Sequence, residues 1–192
     1  MVKSILITGC SSGIGATVAR GLRTHGWRVI ASARKPEDVA ALKADGFEAV
    51  QLDYADPDSI ASGLAETLAL TGGTLDALFN NGAFGLPGAV EDLPRDGLRD
   101  IFETNFFGVH DLTCRVIPIM RAQGHGRIIQ HSSVLGLVPL RWRGAYVSTK
   151  YALEGLTDVL RIEMRDQPIH ISTLNTGPVT SSIRVNSIPH FE

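Results

Sequence analysis

Two side chains in the second half of the sequence have the types and spacing needed to move a proton. Tyr146 and Lys150 lie four positions apart in the segment GAYVSTK, residues 144–150. On a helix these two positions share one face, with Cβ atoms about 5–6 Å apart. A free tyrosine has a pKa of about 10, and a nearby ammonium favours its phenolate form. We therefore expect Lys150 to lower the pKa of Tyr146 and make it an acid–base group for a substrate oxygen.

A glycine-rich segment near the N-terminus, TGCSSGIG at residues 8–15, is suited to hold phosphate. It follows a short apolar run and opens a helical pattern, so its glycines allow a tight turn beside a helix N-terminus, where backbone N–H groups bind anions. Glycine-rich loops are common, and the alternative is a turn with only a structural role. The strand–loop–helix setting favours phosphate. We predict dinucleotide contacts from Gly9, Ser11, Ser12, Gly13, Ile14 and Gly15.

The next apolar run leads into SARKPED, residues 32–38. In dinucleotide-binding proteins, the group about 20 residues beyond the glycines meets the adenosine ribose. An acidic residue there binds the 2′-hydroxyl, whereas Arg34 and Lys35 would attract a 2′-phosphate. We therefore predict that NADP(H) is preferred over NAD(H). The alternative is that these two basic residues only face solvent.

Short β-branched runs alternate with longer helical patterns along the chain, which is typical of repeated βαβ units. Several of the runs are continuously apolar, as expected for parallel strands covered on both faces. The predicted fold is a single α/β domain with a Rossmann-like, doubly wound parallel sheet in three α/β/α layers. Strands are predicted at 3–8, 28–33, 47–52, 75–80, 126–132 and 169–175, and helices at 13–25, 36–44, 57–70, 94–123 and 145–166.

The composition argues against several classes of protein. With a net charge of −2 and a pI near 6.3, the 192-residue chain has no field to attract nucleic acid or an anionic membrane. No stretch approaches the roughly 20 apolar residues of a membrane span, and no signal peptide is predicted. The two cysteines form no disulfide framework, and the six histidines lack metal-ligand spacing. We expect no metal and a cytoplasmic location.

Several separated motifs resemble those of the short-chain dehydrogenase/reductase family. The resemblance covers nearly the whole chain, and residues 116–138 are most similar to the branch with 17β-hydroxysteroid and retinol dehydrogenase-like enzymes. It implies that a hydride is transferred between NADP(H) and a substrate. The substrate would be an aldehyde or a ketone in one direction and the corresponding alcohol in the other. The motifs are TGCSSGIG at 8–15, NNGA at 80–83, ETNFFG at 103–108, SS at 132–133, YVSTK at 146–150 and TGPVTS at 176–181.

The resemblance also implies roles in the reaction. Tyr146 would transfer the proton, Ser133 would hold the substrate oxygen, and Lys150 would bind the nicotinamide ribose. Asn105 would hold a water molecule in a proton relay from the lysine to solvent. A mid-helix asparagine is intrinsically unfavourable, which fits such a role. The pattern by itself leaves open a plain surface position for Asn105.

Other positions resemble the family's cofactor contacts. Asp53 is similar to the aspartate beside the adenine ring, and the alternative is a cap for the next helix. Asn81 is similar to the asparagine that supports the central strand and the adenosine. Pro178 and Val179 match positions whose backbone meets the nicotinamide amide, and Ser181 keeps a hydroxyl where the family commonly has threonine.

Two motifs depart from the family pattern. The usual NNAG is here NNGA, with Gly82 before Ala83, which is expected to change the geometry beside the cofactor. The usual proline and glycine after the sixth strand are here Thr176 and Gly177. Family members also continue beyond this point, so we expect residues 1–192 to be one catalytic domain without the usual C-terminal substrate-pocket segment.

The resemblance implies a small carbonyl or alcohol substrate and a homo-oligomer, either a dimer or a tetramer. Apolar Leu137, Val138 and Leu140 favour a steroid- or retinoid-like substrate, and the alternative is that they pack the loop. A rival interpretation is a nucleotide-sensing or structural protein that keeps the fold without the chemistry. Such a protein is expected to lack the serine, tyrosine or lysine, and all three are present.

Overall fold

A computed structural model of the chain describes residues 2–179, which form a parallel sheet of six strands covered by helices. The strand order is β3-β2-β1-β4-β5-β6, and every neighbouring pair is parallel. The chain reverses its winding between β1 and β4, as in a doubly wound sheet. The predicted fold class is confirmed. The strands are β1 Ser4–Ile7, β2 Arg28–Ala33, β3 Glu48–Gln51, β4 Ala77–Asn80, β5 Gly126–Ser133 and β6 Ile169–Thr176.

Local sequence explains where the helices begin and end. Pro36 and Pro57 occupy first helical positions, where the missing N–H has no partner to lose. Asp56 caps its helix by accepting a hydrogen bond from the N–H of Asp58 at 2.9 Å. The helices are α1 Gly13–Thr24, α2 Pro36–Ala44, α3 Pro57–Thr71, α4 Arg95–Phe102, α5 Gly108–Gln123 and α6 Gly144–Glu163.

Two apolar clusters, one on each face of the sheet, hold the layers together. Side chains alternate along β1, so Leu6 joins one cluster while Ile5 and Ile7 join the other. The first cluster packs against α3, α5 and α6, and the second packs against α1 and α2. Burial on both faces explains why the strands read as continuous apolar runs.

The helix predicted over 94–123 is divided into consecutive pieces. α4 ends at Phe102, a π-helical turn covers Glu103–Phe107, and α5 begins at Gly108. Asn105 lies within the π-helical turn and is fully buried. Such wide turns inside helices occur frequently at functional sites.

Within residues 2–179, no helix is both long enough and apolar enough to cross a membrane. In the same part of the chain, histidine, cysteine and acidic side chains nowhere gather in groups of three that would hold a metal ion.

Candidate active site

A cleft of about 750 Å³ lies at the carboxyl ends of the strands. Ligands bind at this edge of a doubly wound sheet, beside the point where the winding reverses. The cleft extends from the end of β2, past the glycine-rich loop, to one face of α6. The predicted site residues that line it are Gly9, Ser11, Ser12, Gly13, Ile14, Arg34, Lys35, Asp53, Asn81, Tyr146 and Lys150.

The glycine-rich loop is shaped to accept an anion. Gly9 and Gly13 have φ angles of +68° and +57°, in the left-handed region that favours glycine. A Cβ at Gly15 would collide with the carbonyl of Gly9 and the side chain of Asn81, so only glycine fits there. The hydroxyl of Ser12 does not cap α1 in the described structure, and the first turn reads GIGA. The N–H groups of the first turn of α1 are therefore left for an anion. The glycine-rich loop and this turn fit a dinucleotide phosphate.

The ribose end of the cleft carries charges of both signs. Arg34 and Lys35 are exposed there, with Lys35 Nζ 4.0 Å from a carboxylate oxygen of Glu37. Asp38 lines the same end, although the sequence analysis did not single it out. A carboxylate can accept hydrogen bonds from ribose hydroxyls, whereas the basic pair attracts phosphate. The cofactor preference therefore depends on which of these charges dominates.

Two of the predicted cofactor residues organise loops at the edge of the sheet. Oδ1 of Asp53 accepts a hydrogen bond from the N–H of Ala55 at 3.0 Å. Because Asp56 caps α3, the alternative role of Asp53 as the helix cap is wrong. Nδ2 of Asn81 donates to the carbonyl oxygens of Thr8 at 2.8 Å and Gly9 at 3.2 Å. Asn81 thus ties the loop after β4 to the glycine-rich loop.

A buried tyrosine explains the exchanged order of Gly82 and Ala83. Tyr54 is 6% exposed, and its hydroxyl donates to Oδ1 of Asn80 at 2.6 Å and contacts the hydroxyl of Thr8 at 2.9 Å. A Cβ at Gly82 would lie 3.1 Å from the Tyr54 ring. Since two hydrogen bonds hold the ring in place, an alanine at this position would press against it. The sequence analysis missed this pairing of Tyr54 with Gly82.

α6 presents Tyr146 and Lys150 on one face, as predicted, with Nζ of Lys150 5.5 Å from the centre of the Tyr146 ring. Lys150 is 3% exposed and donates to the carbonyl oxygen of His131 at 2.6 Å. Burial lowers the pKa of Lys150 to about 8, and the carboxylate of Glu154 opposes that shift. Burial also raises the pKa of Tyr146, against a hydrogen bond from Ser133 that lowers it. In the chain alone, the pKa of Tyr146 is therefore raised, the reverse of the expected direction, because burial outweighs the hydrogen bond from Ser133.

Ser133 ends β5 and lies next to this pair. Its hydroxyl is buried and accepts a hydrogen bond from the N–H of Leu135 at 3.1 Å. The same hydroxyl interacts with the phenol of Tyr146. The structure therefore brings Ser133, Tyr146 and Lys150 together, although they come from a strand end and a helix.

Asn105 holds the loop after β4 rather than facing solvent. Its Oδ1 accepts from the N–H of Phe84 at 3.0 Å, and its Nδ2 donates to the carbonyl oxygen of Phe84 at 2.9 Å. Nδ2 also lies 3.4 Å from the hydroxyl of Thr149, the residue before Lys150. The alternative of a surface position is wrong. The role of Asn105 in a proton relay stays a prediction.

The sequence analysis missed a carboxylate on the same helix as Tyr146 and Lys150. Glu154 lies four residues after Lys150, so the spacing of four that singled out Tyr146 and Lys150 continues through it. Its Oε1 accepts a hydrogen bond from Nδ2 of Asn175 at 2.5 Å, and Asn175 also donates to the carbonyl oxygen of Ser133 at 3.3 Å. The end of β6 is thereby connected to the serine and to Glu154, whose charge raises the pKa of Lys150.

The predicted nicotinamide contacts beyond β6 are only partly described. Pro178 and Val179 are exposed and do not line the cleft formed by residues 2–179, and Ser181 lies outside the described residues. The apolar loop before α6 is also exposed, with exposed fractions of 55–60%. Its residues are Leu137, Val138 and Leu140. The alternative was that these residues pack the loop. Their exposure argues against it.

The fold and the site together define a dinucleotide-binding α/β protein with a serine, a tyrosine and a lysine at one end of its cleft. The sequence model of the short chain dehydrogenase family matches residues 3–190. The chain belongs to this family. It is a family of oxidoreductases acting on CH–OH groups, and the predicted resemblance is confirmed.

Similar proteins include two curated relatives. The "Uncharacterized oxidoreductase YbbO" of Escherichia coli strain K12 is 43% identical over 186 residues, which cover 97% of this chain and 69% of the relative. Human "Retinol dehydrogenase 8" is 34% identical over 189 residues, which cover 93% of this chain and 60% of that enzyme. The chain thus spans between 60% and 69% of the length of these two relatives.

Two solved structures share the fold. A short chain dehydrogenase/reductase from Burkholderia phymatum in complex with NAD has a TM-score of 0.91 and 25% identity, covering 100% of this chain and 71% of its own. A short-chain dehydrogenase from Streptomyces avermitilis has a TM-score of 0.85 and 35% identity, covering 91% of this chain and 65% of its own.

Proposed function

We propose that the protein is an NADP(H)-dependent oxidoreductase that interconverts a carbonyl and its alcohol, with residues 1–192 acting as one catalytic domain. One observation carries the proposal. A single cleft joins the basic residues Arg34 and Lys35 to Tyr146 and Lys150, with the glycine-rich loop between them. This order matches the order of ribose, phosphates and reacting end in a dinucleotide.

The residues of this chain handle the proton. A nicotinamide cofactor bound in the cleft would supply or accept the hydride. In the direction of reduction, the hydroxyl of Ser133 holds the carbonyl oxygen, and Tyr146 donates its phenolic proton to that oxygen. In the direction of oxidation, the phenolate takes the proton from the alcohol. The ammonium of Lys150 stabilises the phenolate in both directions, since an opposite charge nearby favours the ionised form.

The proposed substrate is a small apolar aldehyde, ketone or alcohol. The exposed apolar loop of Leu137, Val138 and Leu140 lies just before α6, which supports an apolar partner. The name of the relative retinol dehydrogenase 8 supports the same class. We further propose a homo-oligomer, a dimer or a tetramer, because α6 carries exposed Val159 and Ile162. We also propose a cytoplasmic location, which fits the two free cysteines.

The first test is a fluorescence titration of the chain with NADPH and with NADH. The proposal predicts tight binding of NADPH and weaker binding of NADH. Turnover is then measured with a panel of apolar aldehydes, ketosteroids and retinoids. If neither NADPH nor NADH binds, the proposal is overturned. Binding without turnover on any substrate of the panel would favour a nucleotide-sensing protein instead.

A further inference from the structure

We infer that His131 is a positioning residue whose neutral imidazole ring joins the phosphate side of the cleft to its nicotinamide side. The inference rests on the proposed dinucleotide site. It concerns a residue that neither the family motifs nor the proton-transfer group includes.

The imidazole of His131 links the ends of three adjacent strands. His131 lies on β5, and its Nδ1 is 2.9 Å from Oδ1 of Asn81, which follows β4. Its Nε2 is 3.0 Å from the hydroxyl of Thr176, which ends β6. The ring lines the cleft and packs against Phe79 with ring centres 5.5 Å apart. One side chain thus connects both neighbours of β5 at the edge where the cofactor would bind.

The hydrogen bonds around the ring assign its tautomer. Nδ2 of Asn81 donates to the carbonyl oxygens of Thr8 and Gly9, so Oδ1 of Asn81 must accept. Nδ1 of His131 therefore carries the hydrogen, and Nε2 accepts from the hydroxyl of Thr176. The result is a continuous chain of hydrogen bonds from the glycine-rich loop to the end of β6.

The electrostatic surroundings keep this ring neutral. Burial and the nearby ammonium of Lys150 lower the pKa of His131 to about 4. Lys150 faces it from α6, donating to the carbonyl of His131 itself. The side chains that contact the ring from the loop after β4 and from β6 are the uncharged Asn81 and Thr176. The ring is therefore neutral at neutral pH, as the chain of hydrogen bonds requires.

The histidine also gives a role to the departure at Thr176. Where the family has proline, no hydroxyl would reach Nε2, whereas Thr176 supplies one at 3.0 Å. Pro178 and Val179, which the family resemblance assigns to the nicotinamide side, follow two and three residues after this threonine. Fixing Thr176 to His131 and Asn81 holds the two sides of the cleft in register before the cofactor arrives. Such preorganisation raises affinity by reducing the ordering that binding requires.

The test is the affinity for NADPH of Thr176→Val, which removes the hydroxyl and keeps the branched shape suited to a strand. We expect it to weaken binding roughly fivefold to tenfold, as loss of one hydrogen bond implies. Thr176→Ser keeps the hydroxyl and should bind like the wild type. Thr173→Val makes the same change elsewhere on β6 and should also leave the affinity unchanged.

A second readout reports on the ring itself. In ¹⁵N-labelled protein, long-range NMR couplings distinguish a hydrogen on Nδ1 from one on Nε2. We expect Nδ1–H in the wild type and a change in the Nε2 resonance in Thr176→Val. A hydrogen on Nε2, or unchanged NADPH affinity in Thr176→Val, overturns the inference and leaves the proposed function intact. If the wild type binds neither NADPH nor NADH, the proposed function fails, and this inference fails with it.

Discussion

The ammonium of Lys150 donates a hydrogen bond to the backbone carbonyl of His131 at 2.6 Å. This contact holds Nζ 5.5 Å from the centre of the Tyr146 ring. Burial raises the pKa of Tyr146 and lowers that of Lys150 to about 8. The tyrosine therefore keeps its proton at neutral pH, as the proposed proton donor must, and the lysine is close to losing its charge just above neutral pH.

Glu154 should determine how far into alkaline conditions Lys150 stays charged. Its carboxylate opposes the effect of burial on the pKa of Lys150. We expect Glu154→Gln to lower that pKa further, so the alkaline limb of the pH profile of kcat for carbonyl reduction moves to lower pH. Glu163→Gln, an exposed change at the end of the same helix, serves as the control. An alkaline limb at the wild-type position in Glu154→Gln would show that Glu154 does not set the charge of Lys150.

Arg34 should be the main discriminator between the two cofactors. A charge-assisted hydrogen bond contributes about 1.5–3 kcal/mol, so Arg34→Asp should lower the ratio of NADPH to NADH affinity by roughly 10- to 100-fold. Asp38→Asn should change the ratio in the opposite direction, because it removes the carboxylate at the same end of the cleft. The control is Arg165→Asp, which makes the same charge change on an exposed residue outside the cleft. Titrations with NADPH and NADH measure the affinity ratio in the wild type and the three variants. If the ratio is unchanged in Arg34→Asp, Arg34 is not the discriminator.

Gly82 should be energetically coupled to Tyr54. An added Cβ lies 3.1 Å from the ring, so Gly82→Ala should cost about 1–3 kcal/mol of unfolding free energy through overpacking. In a Tyr54→Leu background the same change should cost little, because the ring is gone. Gly21→Ala meets no atom within 4 Å and should be neutral or stabilising. Urea unfolding of these variants measures the coupling, and equal costs of Gly82→Ala in both backgrounds would contradict it.

His131 should make the protein sensitive to mild acid. Its pKa is about 4 in the folded chain, below the ordinary histidine value of 6.5. Between these values the unfolded chain binds more protons, so stability is lost as the pH falls through this window. The loss is on the order of 2–3 kcal/mol. Urea unfolding between about pH 7 and pH 4.5 should show a shallower fall for His131→Asn than for the wild type. Parallel curves would mean that the histidine is not held neutral.

Local sequence was enough to predict the fold because each element carries its own pattern. The boundaries of β2 and α2 were predicted to the residue, and the facing of Tyr146 and Lys150 follows from helical spacing alone. The π-helical turn was not predicted, since the apolar pattern continues through 94–123. The turn places Asn105 against the backbone of Phe84, a contact between distant segments that local sequence does not report.

Two of the missed parts of the site are pairs from different strands or loops. Tyr54 meets Gly82, and His131 meets Thr176, only once the sheet is assembled. Likewise, the raised pKa of Tyr146 depends on burial, which the spacing of four residues does not report. Spacing along the chain identifies which residues can act, whereas the tertiary packing decides their charge and their partners.

The central claim is that Tyr146 donates the proton in an NADP(H)-dependent reaction. The most direct measurement compares turnover of the wild type and Tyr146→Phe with NADPH and an apolar aldehyde or ketone. Loss of a positioned proton donor should lower kcat by roughly 10²–10⁴, with NADPH affinity unchanged. Tyr151→Phe, at the partly exposed tyrosine on the same helix, should keep the wild-type rate. A wild-type rate in Tyr146→Phe would contradict the account.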